Sequence, residues 1–139
     1  MIAVDTNVFI YALDADDPVK QAKAQALLRR LMQTTGSAVL PWQVACEILG
    51  NLRKREAAGR ISSTMAEAHF ANFFAMFPLA VPSPPVLQNY FDLFSRFSLS
   101  HWDAMLLAAC KEAGVTILYS EDMDPTTDYD GLRVINPFV

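Results

Sequence analysis

Short, β-branched-rich apolar runs alternate along this chain with longer segments whose apolar residues recur at helical spacing. The short runs are Met1–Val4, Ser37–Leu40, Leu79–Val81, Val115–Tyr119 and Arg133–Asn136. Between them the pattern predicts helices over 18–34, 42–58, 64–77, 86–97 and 100–113, with a short helix or turn over 8–13. In the first long helix Ala24, Leu27, Leu28 and Leu31 share one face. Asp17-Pro18 is a good start for it, an acid at the cap followed by proline in the first turn. Thr64 and Glu67 have capping-box spacing, Pro84-Pro85 reads as a turn, and Gly36, Gly59 and Gly114 mark stops. Strands joined by helical connections run parallel and are buried on both faces. The expected fold is therefore α/β, a three-layer α/β/α sandwich with a central parallel sheet, in one domain over residues 1–139.

An open parallel sheet also fixes where chemistry belongs, beyond the carboxyl ends of its strands. Asp5 stands directly after Ile2-Ala3-Val4, and Asp122 stands shortly after Val115–Tyr119. Asp103 lies in the first turn of a helix whose next seven residues, Ala104–Cys110, are apolar, so the helix is expected to be buried almost all round. The helix dipole favours the ionised form of an acid there. Each acid has a structural alternative: Asp5 and Asp122 as turn or cap residues after a strand, and Asp103 as part of a cap with Ser100. Glu47 falls on a polar helix face with Gln43, Asn51 and Lys54, opposite Ala45, Ile48, Leu49 and Leu52. That face is either solvated or lines a cleft. The loop 121–130 holds Glu121, Asp122, Asp124, Asp128 and Asp130, but lacks the closing glutamate of a calcium-binding EF-hand.

Taken in order, these segments resemble the PIN-domain family. Val4-Asp5-Thr6-Asn7 is similar to its first motif. Pro41–Leu49 resembles the segment carrying its glutamate, His101–Ala109 its third acidic motif, and Tyr119–Met123 its fourth. Gly131–Phe138 resembles its usual ending, so the likeness spans essentially the whole chain. The resemblance implies a PIN-like sandwich in which Asp5, Glu47, Asp103 and Asp122 form an acidic metal site, with Asn7 and Ser120 as supporting polar residues. It implies Mg²⁺ or Mn²⁺, an RNA substrate, a homodimer and, for the VapC-type toxin branch, an antitoxin partner. After Asp122 the chain reads Met123-Asp124-Pro125 where many relatives have a polar residue and glycine, which leaves open whether Asp124 also reaches the metal.

The chemistry suits those residue types. Carboxylates packed together repel one another, and a hard divalent cation relieves the repulsion. Asp5, Asp103 and Asp122 would be the principal ligands, and Glu47 a ligand or a water-orienting base. Metal-activated water would then hydrolyse an RNA phosphodiester, leaving a 5′-phosphate and a 3′-hydroxyl, as the resemblance implies. His69 and His101 are isolated, so nothing suggests zinc.

Nucleic-acid binders are usually basic, yet the formal net charge is -4. Arg53, Lys54, Arg55 and Arg60 form the densest basic segment, and they read either as phosphate contacts or as an ordinary solvated helix end. Cys46 and Cys110 form no CxxC pair and read as buried, reduced thiols. The N-terminal apolar run is broken at once by Asp5 and Asn7, which is unlike a signal peptide, and no segment is long enough to span a bilayer. A soluble, cytoplasmic protein is expected. Phe70, Phe73, Phe74 and Phe77 are core by default, with a dimer or antitoxin surface as the alternative. A haloacid-dehalogenase-type phosphatase would need a second Asp at position 7, which is Asn, and a receiver domain would need a lysine after Lys111. The remaining alternative is a PIN-like module that binds RNA or protein without cutting.

Overall fold

The computed structural model describes residues 1–139. Six strands and six helices follow in the order β1 (Ile2–Val4), α1 (Thr6–Leu13), α2 (Pro18–Met32), β2 (Ala38–Pro41), α3 (Trp42–Ala57), α4 (Ser63–Met76), β3 (Leu79–Ala80), α5 (Pro84–Phe97), α6 (His101–Glu112), β4 (Ile117–Tyr119), β5 (Asp128–Tyr129) and β6 (Leu132–Ile135). They form one sheet of order β3-β2-β1-β4-β6-β5. All neighbours are parallel except β5, which pairs antiparallel with β6.

That order decides the layers. From β1 the chain steps outward through β2 to β3, then crosses back to the other side of β1 to lay down β4. Parallel crossovers are right-handed, so reversing the direction of travel moves the connecting helices to the opposite face. Accordingly α1, α2, α3 and α4 pack among themselves, while α5 packs on α6. The direction reverses between β1 and β4, whose register pairs Val4 with Tyr119. Their carboxyl ends open the crevice in which such sheets bind ligands.

Packing follows the apolar pattern. Ala3, Val4, Leu40 and Leu118 are buried in the sheet, and Val8, Phe9, Ile48, Leu106 and Leu107 reach it from the helices. Phe9 meets Phe73 and Phe77 edge-on, at ring centroid separations of 5.1 and 6.4 Å. Two of the four phenylalanines on or just after α4 are therefore core, whereas Phe74 is exposed and Phe70 lies stacked on it. On α2 the expected cap is present, with Asp17 accepting from the Lys20 N–H.

Several local expectations need correction. Ser62, not Thr64, caps α4, accepting from the Met65 N–H, because the helix begins two residues earlier than the capping-box spacing implied. Pro84 and Pro85 do not form a turn ahead of α5. They occupy its first turn, where a missing N–H costs nothing. The loop 121–130 conceals a hairpin. Asp130 and Gly131 have φ of 55° and 89°, the left-handed pair required by a tight two-residue connection, and they join β5 to β6. Cys46 is exposed on α3, since the helix buries Ala45 and turns its neighbour outward, and only Cys110 is buried. Leu49 is likewise exposed.

Candidate active site

Four carboxylates from four separate elements line one cleft of about 390 Å³ at the switch point. Asp5 follows β1 and caps α1, Glu47 lies in α3, Asp103 in the first turn of α6, and Asp122 follows β4. Thr6, Asn7, Tyr11, Asp14, Gln43, Asn51 and Trp102 share the lining. Carboxylates therefore occupy the walls, and no lysine, arginine or histidine does.

Asp5 is the most enclosed of them. Its Oδ1 accepts the Thr6 N–H at 2.7 Å, and its Oδ2 accepts the buried Ser120 hydroxyl, also at 2.7 Å. Burial nevertheless pushes its carboxyl up to about 6, helped by the charges of Glu47 and Asp122, while the two hydrogen bonds work the other way. The Ser120 hydroxyl also accepts the Asp122 N–H, so one side chain ties both strand ends together. Asp122 is held by Asn7, whose Nδ2 donates to it at 2.9 Å. Burial raises its pKa above the usual carboxylate range, and the charge of Glu121 next to it adds to the effect.

Glu47 belongs to the same network. Thr6 Oγ1 donates to one of its oxygens at 2.6 Å, and Gln43 Nε2 donates to the other at 2.9 Å. Gln43 Nε2 also donates to the Trp102 carbonyl at 3.0 Å, linking α3 to the start of α6. The polar face of α3 is thus turned into the cleft. At Asp103 the Ser100 hydroxyl accepts the backbone N–H, which leaves the Asp103 carboxylate to the cleft.

Sequence reasoning missed Thr6, Gln43 and a buttress behind Asp122. There Tyr11 Oη donates to Glu121 Oε1 at 2.9 Å, and Lys20 Nζ pairs with Glu121 Oε2 at 2.9 Å. Gln43 stands one helical turn before Glu47, a spacing that could have revealed it. Tyr11, Lys20 and Glu121 are distant in sequence, and no local pattern links them.

The other acids of the loop 121–130 have structural duties. Asp124 lies outside the cleft lining, and its carboxylate is taken by the Thr126 N–H and the hydroxyls of Thr126 and Thr127. Asp128 accepts the Gly131 N–H across the hairpin. Asp130 pairs with Arg96 and Lys111, which hold its carboxyl down at about 2 and fasten the hairpin to α5 and α6. Of the basic segment, Lys54 shares the helical face of Glu47 and Asn51. Arg53 faces the groove between α3 and α4 instead, and Arg60 pairs with Asp16.

The donors suit a hard divalent cation. All are oxygens, burial and neighbouring carboxylates raise the pKa of Asp5 and Asp122, and Asn7 Oδ1 is buried in the site without a hydrogen-bond partner. No three acids converge closely enough to grip an ion by themselves. That is compatible with Mg²⁺, which binds through one or two carboxylates and keeps several waters.

A sequence profile of the PIN domain matches residues 2–130. The chain belongs to the PIN-domain family. No curated protein matches it significantly in sequence. Among solved structures, this PIN domain is similar to a toxin–antitoxin complex from Klebsiella pneumoniae, with a TM-score of 0.69 and 17% identity over 99% of this chain and 98% of that one. VapBC2 from Rickettsia felis, bound to a DNA fragment from its promoter, aligns with a TM-score of 0.70 at 13% identity, covering 98% of both chains. VapC20 of Mycobacterium tuberculosis, a sarcin-ricin-loop-cleaving toxin, aligns with a TM-score of 0.65 at 17% identity, over 89% of this chain and 92% of that one. The PIN fold of this chain is thus shared along nearly its whole length with such toxins.

Proposed function

We propose that this PIN domain is a divalent-metal-dependent endoribonuclease, the VapC-type toxin of a toxin–antitoxin pair, hydrolysing RNA phosphodiester bonds with water as the nucleophile. The observation that carries the reading is the cleft itself: Asp5, Glu47, Asp103 and Asp122 face one space, cross-linked by Thr6, Asn7, Gln43 and Ser120. The alignment with VapC20, a sarcin-ricin-loop-cleaving toxin, supports the substrate class.

Asp5, Asp103 and Asp122 would hold Mg²⁺ or Mn²⁺, one or two of them directly and the rest through its waters, and Glu47 would either join them or orient the attacking water. When bound, the ion supplies Lewis acidity, making water acidic enough to react near neutral pH and offsetting charge on the phosphoryl oxygens. Ser120 fixes the rotamer of Asp5, and Asn7 that of Asp122. Asp124 takes no part, because its oxygens are already engaged in its own turn. Lys54, on the helical face of Glu47 and Asn51 but outside the cleft lining, is a candidate contact for the RNA backbone, as is Arg55 one turn beyond Asn51.

A cognate antitoxin and a homodimer complete the proposal. Similar structures are toxin–antitoxin complexes, and exposed Leu49, Met65 and Phe74 offer apolar surface on α3 and α4. No helix is long and apolar enough to cross a membrane, and the two free thiols suit the reducing cytoplasm.

The test is incubation of the purified, antitoxin-free protein with total bacterial RNA and Mg²⁺ or Mn²⁺. Discrete cuts lost with EDTA and in Asp5→Asn are expected. No cutting by demonstrably folded protein with either metal would favour the non-cleaving binding module.

A further inference from the structure

The cleft lining poses a problem for RNA binding. It contains Asp5, Asp14, Glu47, Asp103 and Asp122 and no cationic side chain. Nucleic-acid affinity ordinarily comes from lysine and arginine neutralising phosphates. Here the walls repel the backbone, and a bound cation offsets only part of that charge. Another source of affinity has to act close to the scissile bond.

One wall residue offers it. Trp102 lines the cleft beside Asp103, yet the residue is 62% exposed. It is also held in place. Its carbonyl accepts from Gln43, which simultaneously binds Glu47, so the acid and the tryptophan share one positioning side chain. The indole meets the His101 ring edge-on with centroids 4.6 Å apart. His101 Nδ1 is in turn hydrogen-bonded to the Tyr90 hydroxyl at 2.7 Å, and the Tyr90 ring stacks on Phe94 at 5.8 Å. A large apolar surface, buttressed from behind and left uncovered beside a cluster of carboxylates, is what an unpaired base needs for stacking.

We infer that Trp102 is a base-stacking platform that seats an unpaired nucleotide next to the acidic cleft. The inference rests on RNA being the substrate. Duplex RNA keeps its bases stacked within the helix and gives Trp102 nothing to hold, so the site selects loops and single strands. The stacking contribution of a base face changes little with salt, whereas binding through phosphates weakens steeply with it.

The chain has two tryptophans, Trp42 and Trp102, so Trp42→Phe leaves Trp102 as the only indole reporter. In that full-length protein with Mg²⁺, Trp102 fluorescence is titrated by stopped flow, before turnover, with a ten-nucleotide oligouridylate. The same is done with an abasic ribose-phosphate chain of equal length and with an RNA duplex. Saturable quenching by oligouridylate alone is expected. Trp102→Ala, followed by anisotropy of labelled oligouridylate, should weaken binding on the order of 5- to 100-fold with an unchanged salt slope, and Trp102→Phe should restore most of it. Because Gln43 binds the backbone carbonyl of residue 102, alanine there keeps that link, and circular dichroism checks the fold. Equal binding of the abasic chain, no binding of oligouridylate, or unaltered affinity in Trp102→Ala would overturn the inference. A change confined to subunit association would do so too, by assigning the aromatic surface to a protein contact. Binding is read without cleavage, so a protein that stacks oligouridylate but cuts no RNA would contradict the nuclease reading and leave the platform standing.

Discussion

Asp5 stores a conflict between folding and the cleft, and Asp5→Asn should release it. The Asp5 side chain is 6% exposed, and its carboxyl is pushed from the ordinary 3.8 up to about 6, chiefly by burial. Below about pH 4 the carboxyl is protonated in both folded and unfolded chains, and stability is unaffected. Between about pH 4 and 6 the folded state keeps a proton that the unfolded state has released, so raising the pH favours unfolding. Above about 6 the penalty is complete, and the gap from 3.8 corresponds to about 3 kcal/mol. Asparagine keeps the shape without the charge. Its carbonyl accepts the Thr6 N–H, and its amide donates to the Ser120 oxygen. Allowing for the cost of burying that amide, the metal-free variant should be more stable than wild type by roughly 2 kcal/mol at pH 7.5. Urea unfolding in EDTA at pH 5 and pH 7.5 reads this directly. The advantage of Asp5→Asn should grow with pH, and added Mg²⁺ should narrow it by stabilising wild type more. A variant no more stable than wild type at pH 7.5, or an advantage independent of pH, would refute the reasoning.

Asp103→Asn should abolish cleavage while changing stability by less than about 0.5 kcal/mol, because this half-exposed carboxylate serves the cleft and not the core. Parallel cleavage assays and thermal melts check that separation. Lys20→Met removes the cation that holds Glu121 beside Asp122, and activity should fall roughly 10-fold or more with the fold retained, as for other supports of metal-site residues. Rescue by Lys20→Arg, together with Mg²⁺ affinity measured by calorimetry, distinguishes positioning from general damage. At the start of α4, Ser62→Ala should cost about 1 kcal/mol in urea unfolding and Thr64→Ala much less, since only Ser62 caps the helix.

The sequence made some of this site legible and concealed the rest for physical reasons. Asp5 and Asp122 could be located because strand ends in a parallel sheet face a common crevice, a consequence of topology alone. Glu47 was ambiguous, since a helical wheel separates two faces without saying which meets solvent. Its resolution came from Thr6 and Gln43, which bind its two oxygens and turn the polar face inward. The exposure of Leu49 and Cys46 shows the same limit from the apolar side. The β5–β6 hairpin was available in Asp130-Gly131, but the density of acids around it looked like a single loop. Three of those acids are in fact committed to a turn, a hairpin and a pair of ion contacts. What no local pattern carries is tertiary linkage: Lys20 reaching Glu121, Ser120 joining Asp5 to Asp122, and Gln43 joining Glu47 to Trp102.

The most direct test of water-driven hydrolysis in the acidic cleft is the chemistry of the RNA ends. Cleavage would be run with Mg²⁺ or Mn²⁺ in ¹⁸O-labelled water and the fragments weighed by mass spectrometry. Label in a 5′-phosphate, with a 3′-hydroxyl on the other fragment and no product from Asp103→Asn, is the expected result. Unlabelled 2′,3′-cyclic phosphate ends would mean that the 2′-hydroxyl is the nucleophile, and cutting that persists in EDTA would mean that the four carboxylates do not act through a metal.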